Sequence, residues 1–353
     1  MKKRNFKVKY MLVPMAVLTV FLAGCSNESL QEELTYRQAG IDSMEAGDYG
    51  TAVTAFEQAL SCHVGRITDR ELDICYYKAA AQYASGDAEG AMQTYNELLD
   101  YNSDDADVYY MRGCLYLQQG VSQQALYDYS NAVRNNPDDF ELYVSIYENL
   151  VAYQLTAEGE EYLNKAFEIK GSDADSLTWR GRIYYLLGEY DNAVTELKAA
   201  IEKGSMTANL YLAQTYEAQG DVTNAEAFYQ TYASSEKADS QAMNALAEIE
   251  MSRGNYEKAL DYISQGLAME NVPNRRELMQ NRIIANEYTG DFATAWAVIQ
   301  EYIALYPDDT AIQREYIFLK NRQEAVPAPE EVTPEEPPAE DATQTPEDTG
   351  AAE

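Results

Sequence analysis

Small residues and apolar side chains return along this chain at an interval close to 34 residues. No segment keeps the two-residue alternation of polar and apolar positions that is typical of a strand. A glycine, in most cases followed by an acidic or polar residue, marks all but one of the periods, at Gly47, Gly86, Gly120, Gly188, Gly220, Gly254 and Gly290. This pattern predicts one helical unit that is stacked many times.

Each period holds two helical stretches with their own fixed residues, and the third period is the clearest. It reads Tyr109-x2-Arg112-Gly113-x2-Tyr116, then Ala125-x3-Tyr129, Ala132 and Pro137. This pattern resembles the tetratricopeptide repeat (TPR), in which two antiparallel helices approach closely where small side chains meet. The small residue of the second helix recurs at Ala52, Ala91, Ala125, Gly159, Ala193, Ala225, Ala259 and Ala295.

The resemblance implies an all-α fold, a right-handed α-solenoid of about eight TPR helix-turn-helix repeats over residues 33–324. The repeats begin near Glu33, Leu72, Ala106, Phe140, Ala174, Met206, Ser240 and Arg276. Two repeats depart from the pattern. The fourth has Tyr147 at the small position of its first helix and no turn glycine, and the eighth has Ile283 and Tyr302 at small positions. These departures predict either a local distortion or an interface.

The segment that follows the eighth repeat has apolar residues at helical spacing but no second helix after it. It runs from Asp309 to Arg322 and predicts a capping helix, which covers the end of a solenoid. Residues 325–353 then hold six prolines and nine acidic residues, with no lysine or arginine. This composition cannot bury a core and predicts a disordered, extended tail. Such a tail either docks on a basic partner or serves only to keep the protein soluble.

The amino terminus carries a processing signal. A basic start precedes an apolar run of 14 residues from Tyr10 to Ala23, shorter than the ~20 residues of a bilayer-spanning helix. The run ends in Leu22-Ala23-Gly24-Cys25, which resembles the bacterial lipobox. The resemblance implies a signal peptide over residues 1–24, acylation of Cys25 and a short linker to residue 32. An extracytoplasmic protein anchored to the bacterial cell membrane is therefore expected. The alternative is an ordinary signal peptide with an incidental cysteine.

The charge of the chain limits the classes of partner that it can bind. Its net charge is −33, and no basic patch is present to bind phosphates, so nucleic acid is excluded as a partner. A basic protein, a basic peptide or a layer of divalent cations is compatible with this charge. Charge also keeps an exposed surface protein soluble, and we expect a monomer.

Catalytic and metal-binding motifs are missing from the sequence. With 59 acidic residues, no pair of carboxylates can be singled out as a general acid and base. There is no GxSxG, HExxH or phosphate-binding loop. The single histidine, His63, and the lack of a CxxC motif argue against a transition-metal site. We therefore expect no enzyme activity, no metal and no cofactor. Cys62 and Cys75 are expected as free thiols, with a bridge between them as the alternative.

Aromatic residues suggest where a partner binds. The TPR resemblance implies ligands along the concave face made by the first helices, and its positions fall on Tyr76, Tyr77, Tyr83, Tyr110, Met111, Cys114, Trp179, Arg182, Tyr185, Tyr211 and Gln214. Trp179, Arg182 and Tyr185 lie three residues apart and share one helix face. There, the arginine is expected as an isolated cation that orients a ligand carboxylate or carbonyl. An aromatic groove in acidic surroundings favours extended peptide or glycan-like ligands, unless the rings merely pack against neighbouring repeats.

Three functions remain open at this point. The first is a membrane-anchored, extracytoplasmic scaffold that binds protein partners in an envelope, secretion or surface-assembly complex. The second is a passive surface or spacer lipoprotein that positions the acidic tail. The third is an accessory protein of polysaccharide export or glycan binding.

The anchoring hypothesis predicts the behaviour of a Cys25→Ala variant. Without the thiol there is no acylation site, so the variant is expected to lose all incorporation of labelled fatty acid. It should stay unprocessed or be shed into the medium, which fractionation of intact cells measures. A Cys25→Ala variant that still takes up the label would contradict the assignment.

Overall fold

A computed structural model of the chain describes residues 26–63 and 65–325. The predicted signal peptide, the lipidation site Cys25 and residues 326–353 of the predicted tail lie outside these residues. Within them the secondary structure is entirely helical, with no strand. The helices are α1 (Ser26–Glu45), α2 (Tyr49–Cys62), α3 (Asp69–Ser85), α4 (Ala88–Tyr101), α5 (Ala106–Gln118), α6 (Ser122–Asn135), α7 (Phe140–Ala152), α8 (Thr156–Ala166), α9 (Ala174–Leu186), α10 (Tyr190–Glu202), α11 (Thr207–Ala218), α12 (Val222–Ala233), α13 (Ser240–Ser252), α14 (Tyr256–Leu267), α15 (Arg275–Thr289), α16 (Phe292–Leu305) and α17 (Gln313–Ala325).

The described residues form two compact units, which divide between Ala242 and Met243. In the first, α1 to α12 pack as six helix pairs, and each pair contacts the next. The second contains α13 from Met243 onward, together with α14 to α17. The predicted all-α fold, with eight helix pairs and a final single helix, is confirmed within the described residues. None of their helices combines the length and the hydrophobicity needed to cross a membrane.

A small residue facing a large one holds the two helices of a pair together. A Cβ atom added to Gly113 in α5 would lie 2.6 Å from Cε1 of Tyr129 in α6. At Gly181 in α9, an added Cβ would lie 2.5 Å from Cγ of Leu197 in α10. In both pairs the large residue follows the glycine by 16 positions and is fully buried. The two helix axes can therefore approach only because one side chain is missing at the crossing.

The turn within each pair depends on backbone conformation. Gly86 ends α3 with φ of 85°, a left-handed conformation that costs glycine nothing. The next residue, Asp87, then caps α4, because its Oδ1 accepts a hydrogen bond from the backbone N–H of Gly90 at 2.9 Å. Asp291 caps α16 in the same way through Thr294 at 3.0 Å. The glycine and the acid thus have separate tasks, as the sequence pattern predicted.

The fourth repeat is regular despite its unusual sequence. Tyr147 occupies the small position of α7, and the facing residue on α8 is Gly159, where an added Cβ would lie 3.0 Å from Cδ2 of Tyr147. Gly159 lies at the small position of the second helix, which is alanine in the other seven repeats, so the missing methyl group leaves space for the Tyr147 ring. Gln154 takes the place of the turn glycine with φ of 64°. Both helices of the repeat form, because a smaller side chain on α8 offsets the larger one on α7.

The second unit is closed by α17. In this unit, Ile283 and Tyr302 are fully buried in a cluster that also contains Leu319 of α17. The Tyr302 hydroxyl donates a hydrogen bond to Asp309, and Arg276 Nη2 lies 2.6 Å from the same carboxylate. The large residues of the eighth repeat therefore bind the segment that leads into the capping helix.

Two predicted boundaries and one cysteine question are resolved by the structure. The segment expected as a linker, residues 26–32, belongs to α1, which begins at Ser26. The capping helix begins at Gln313 and ends at Ala325, later than predicted, because Asp309 is engaged in the preceding loop. The described cysteines Cys62, Cys75 and Cys114 are free thiols.

Replacing Gly113 by alanine tests whether the close approach of α5 and α6 depends on the missing side chain. The added methyl group collides with the Tyr129 ring, and overpacking of this kind costs about 1–3 kcal/mol. That cost exceeds the roughly 0.5–1 kcal/mol that alanine gains over glycine in a helix. The melting temperature is expected to fall. The matched control is Gly50→Ala in α2, where the only neighbouring atom lies 4.0 Å away and stability should rise. A stable Gly113→Ala variant would contradict this account of the crossing.

Candidate functional site

The first helices of successive repeats contact one another within the first unit. Helix α1 contacts α3, α7 contacts α9, and α9 contacts α11. A residue on one first helix therefore lies beside the residue about one period later in the chain. Side chains from separate repeats can combine into one surface through this arrangement, and the predicted binding residues belong to these helices.

Two of the predicted binding tyrosines are core residues. Tyr77 is 9% exposed and stacks on Phe56, with ring centroids 5.7 Å apart. Tyr110 is 6% exposed and packs beside Tyr129 at 5.9 Å. Cys114 is also buried. The expectation that these residues face a ligand is corrected, because their rings and thiol fill the space between repeats.

Tyr76, Tyr83 and Met111 are neither fully buried nor fully exposed. All three are partly buried and pack against the cluster between α3 and α5. The Tyr76 hydroxyl donates a hydrogen bond to Asp105, and burial together with this carboxylate raises the pKa of Tyr76. Burial also raises the pKa of Tyr83 to about 12. The Tyr76 hydroxyl is therefore committed to the fold, and only part of each of the three side chains can meet a partner.

Arg182 joins three first helices in what we call the Arg182 cluster: Glu148, Trp179, Arg182 and Tyr211. Its Nη2 lies 2.6 Å from Oε1 of Glu148 on α7. Its guanidinium carbon lies 5.3 Å from the ring centroid of Trp179 on α9 and 5.1 Å from that of Tyr211 on α11. Arginine over aromatic faces is attracted by the ring quadrupole. The cluster is a pre-arranged, partly exposed surface that spans repeats four to six.

The predicted role of Arg182 as an isolated cation is corrected by this geometry. The Glu148 carboxylate neutralises the guanidinium, so little positive charge is left to attract a ligand carboxylate. Glu148 was not identified from the sequence. The sequence signal that could have identified Glu148 is its spacing from Arg182, because it precedes Arg182 by 34 residues, which is one full period. Opposite charges one period apart on adjacent first helices are candidates for such a pair.

Tyr185 and Gln214 lie next to the Arg182 cluster. Tyr185 is partly buried against the α9–α11 core and packs beside Tyr190, with ring centroids 6.1 Å apart. Burial raises the pKa of Tyr185, as it does that of Tyr211. Gln214 is partly exposed, one helical turn after Tyr211. Of the eleven residues taken from the sequence, the structure thus brings Trp179, Arg182 and Tyr211 into direct contact.

A second polar cluster lies at the start of the first unit. The carboxylates of Glu33 and Glu71 and the imidazole of His63 have ligand atoms within 4.8 Å of one another. The Glu33 and Glu71 side chains are 2% and 4% exposed. Arg70 contacts both, with Nε 2.5 Å from Glu33 Oε1 and Nη2 3.0 Å from Glu71 Oε1. Three residues of this type could hold a metal ion, so their contacts with neighbouring residues decide what the cluster does.

Contacts among its own residues favour a structural polar cluster over a metal site. Nδ1 of His63 lies 2.9 Å from Glu71 Oε1, and Nε2 lies 2.9 Å from the carbonyl oxygen of Arg66. The guanidinium of Arg70 already supplies a positive charge beside both carboxylates. The cluster joins α1, the α2–α3 loop and α3.

Comparison with known sequences identifies the repeats. The sequence matches the TPR repeat family over residues 79–120 and the Tetratricopeptide repeat family over residues 180–243. The first match lies within the first unit, and the second lies there except for its last residue, Met243. No curated protein matches the chain.

Solved structures share the fold at low sequence identity. A tetratricopeptide repeat protein from Parabacteroides merdae is 16% identical, with a TM-score of 0.50, and the match covers 72% of this chain and 99% of that one. The human IFIT1 dimer with PPP-AAAA is 16% identical, with a TM-score of 0.52, covering 85% and 77% of the two chains. PilF of Pseudomonas aeruginosa is 18% identical over 62% of this chain and 97% of its own, with a TM-score of 0.41.

The Glu33–Glu71 cluster predicts a specific loss of stability in acid. Burial opposes ionisation of Glu71, but hydrogen bonds from the hydroxyl and backbone N–H of Thr68 outweigh it and lower its pKa from 4.5 to about 2. A lowered pKa means that the ionised group stabilises the fold above pH 4.5. This contribution is lost as the pH falls from 4.5 to about 2. Glu71→Gln should unfold at lower urea concentration at neutral pH and lose less stability over this range.

The control for this pH dependence is Glu57→Gln. Glu57 is 54% exposed and lies 3.4 Å from Lys78, so its contribution is that of a surface ion pair, about 0–1 kcal/mol. Its acid unfolding curve should match that of the unmodified protein. If Glu71→Gln and Glu57→Gln give the same curve, the cluster does not have the role assigned to it.

Proposed function

Because the chain is a tetratricopeptide repeat protein, we propose that it is a non-catalytic scaffold that binds protein partners through the first helices of its repeats. We further propose that it works outside the cytoplasm, anchored to the cell membrane through an acylated Cys25. It would recruit its partner to an envelope, secretion or surface-assembly complex. Repeats of this family typically serve as interaction scaffolds, and the absence of a sequence motif for catalysis agrees with this role.

The single observation that carries the binding role is the Arg182 cluster. Its four side chains come from three successive repeats, and their mutual contacts fix them before any partner arrives. Rigid aromatic surface binds at a low cost in side-chain entropy, and tryptophan, tyrosine and arginine are enriched in binding hot spots. A groove that runs across first helices suits an extended segment of a partner protein.

The proposed anchor agrees with the start of the fold. Helix α1 begins at Ser26, the residue that follows Cys25. An acyl group on Cys25 would therefore be attached directly to the first repeat, and that repeat would lie close to the membrane surface. Several acyl chains on one residue would be enough for a stable anchor.

A protein partner is favoured over a nucleic acid. The human IFIT1 structure, which shares the fold, contains PPP-AAAA. The net charge of −33 in this chain opposes such a ligand, because phosphate binding depends on lysine and arginine contacts. The same charge is compatible with a basic partner.

Crosslinking in intact cells followed by capture of the protein tests this function. One stoichiometric protein partner is expected. Trp179→Ala and Tyr185→Ala should each reduce its retention, by about 30-fold in affinity if the lost interaction amounts to ~2 kcal/mol. Capture of a glycan would favour the accessory role in polysaccharide export, and capture of no partner would favour the spacer role.

Two tyrosines of α6 serve as matched controls. Tyr127 is 67% exposed on the second helix of its repeat, so Tyr127→Ala should change neither stability nor retention. Tyr129 is fully buried, and Tyr129→Ala should cost about 3–5 kcal/mol, as large-to-small core changes do. If Trp179→Ala melts like Tyr129→Ala and still retains the partner, its ring is part of the core and the proposed site is wrong.

A further inference from the structure

A cavity opens between α7 and α9 at the amino-terminal ends of these helices. Its volume is about 870 Å³, within the range of about 300–1,000 Å³ that is usual for ligand sites. It is lined by residues 136 and 138–141 at the start of repeat four, by residues 168–170 of the following loop, and by residues of the first turns of α9. All of them belong to the first unit. The cavity reaches Trp179, so it adjoins the Arg182 cluster.

The lining of this cavity is strongly negative. It contains five carboxylates and one ammonium group, that of Lys170. One carboxylate, Asp139, is used to cap α7 through the backbone N–H of Leu142. The other four make no ion pair or hydrogen bond with any described residue, and they are Asp138, Glu141, Glu168 and Asp175. Unpaired carboxylates that face one space attract a cation more strongly than the same charges spread over a surface.

The carboxylates of the lining also affect the pKa of a neighbouring tyrosine. Burial, together with the carboxylates of Glu168 and Asp138, raises the pKa of Tyr143 on α7. A raised pKa means that a further negative charge is disfavoured at this place.

Apolar surface completes the cavity. Phe140 and Ile169 are 7% and 8% exposed, and both contribute to its lining. Trp179 provides an aromatic wall, and it already binds one cation, Arg182, at 5.3 Å from its ring centroid. Carboxylates beside an aromatic ring are the combination that binds an alkylammonium or guanidinium group, because charge attraction and cation–π attraction act together.

We propose that this cavity binds a lysine- or arginine-bearing segment of the partner protein. A cationic side chain lies among the four unpaired carboxylates, its stem against Phe140 and Ile169, and its charged end beside Trp179. This inference rests on the proposed function, since it gives the chemistry of the partner that the scaffold binds. It also replaces the role expected for Arg182: the ligand supplies the positive charge and the protein supplies the negative charge.

The occupant is a peptide side chain because the lining is both charged and apolar. The carboxylates come from the start of repeat four, the α8–α9 loop and α9, and Phe140, Ile169 and Trp179 contribute to the same lining. A small metal ion would leave that apolar lining uncovered, whereas the methylene stem of lysine or arginine covers it while the charged end stays polar. The neighbouring Arg182 cluster extends the same surface toward α11 for the rest of the segment.

Binding of a defined peptide to the purified full chain tests the proposal. The probe is a fluorescent, flexible peptide in which lysine alternates with glycine and leucine. The control peptide has the same sequence with every lysine acetylated, which keeps the stem and removes the charge. Binding is measured by fluorescence anisotropy at a salt concentration of about 0.15 M, where distant surface charges are largely screened. The lysine peptide should bind and the acetylated peptide should bind at least about ten-fold more weakly.

Variants then locate the binding. The combined change Asp138→Asn, Glu141→Gln, Glu168→Gln and Asp175→Asn removes the unpaired carboxylates with little change in shape, and it should weaken binding of the lysine peptide at least about ten-fold. The matched control neutralises four exposed carboxylates on second helices of the same unit, at Glu89, Asp100, Glu161 and Glu202. It removes the same charge and should leave binding within about two-fold. Trp179→Leu should weaken binding several-fold, and Trp179→Phe should retain most of it.

Each outcome separates this proposal from the general scaffold function. Equal loss of binding in the two four-fold variants would show attraction by the overall charge and would overturn the cavity proposal. Equal binding of the acetylated peptide would overturn it as well. A partner captured from cells that is retained by the cavity variant but lost by Tyr185→Ala leaves the scaffold function intact and rejects the cavity. Failure to capture any partner, with peptide binding confined to the cavity, rejects only the scaffold function. Melting curves confirm that each variant is folded.

Discussion

The close crossing of the two helices in each repeat is the constraint on which the structure depends. In repeats one, three and five a glycine of the first helix faces a large residue 16 positions later, as Gly113 faces Tyr129. The missing side chain sets the separation of the pair, and the buried side chain fills the space that remains. In the fourth repeat Tyr147 stands at this position of the first helix, and Gly159 on the second helix offsets its larger volume.

This crossing determines which residues remain available for binding. The second helix of each repeat covers one side of the first helix. Rings such as those of Tyr77 and Tyr110 then fill the core between repeats. The side chains that remain partly exposed on successive first helices then lie one period apart and meet. Arg182 contacts Glu148 and Tyr211 for this reason. A binding surface therefore arises from the stacking of repeats, and no single repeat contains it.

The pairing of charges determines which charged groups remain on this surface. This chain has a net charge of −33, and several of its arginines form internal ion pairs, such as Arg182 with Glu148 and Arg70 with Glu33. Those pairs neutralise local charge where helices join, and they leave unpaired carboxylates in the cavity beside Trp179. Paired charges hold repeats together, whereas unpaired charges of one sign are free to select a ligand.

The sequence by itself determined the helical class, the number of repeats and most of their boundaries, because small residues at fixed spacing are a local and periodic signal. It also placed Trp179 and Arg182 on one helix face. Only the tertiary structure decided that Arg182 is neutralised, that Tyr77 is core, and that Gln154 can replace a turn glycine. These outcomes depend on which side chains from different repeats meet in space. That information lies in the packing between helices and is absent from the pattern along any one of them.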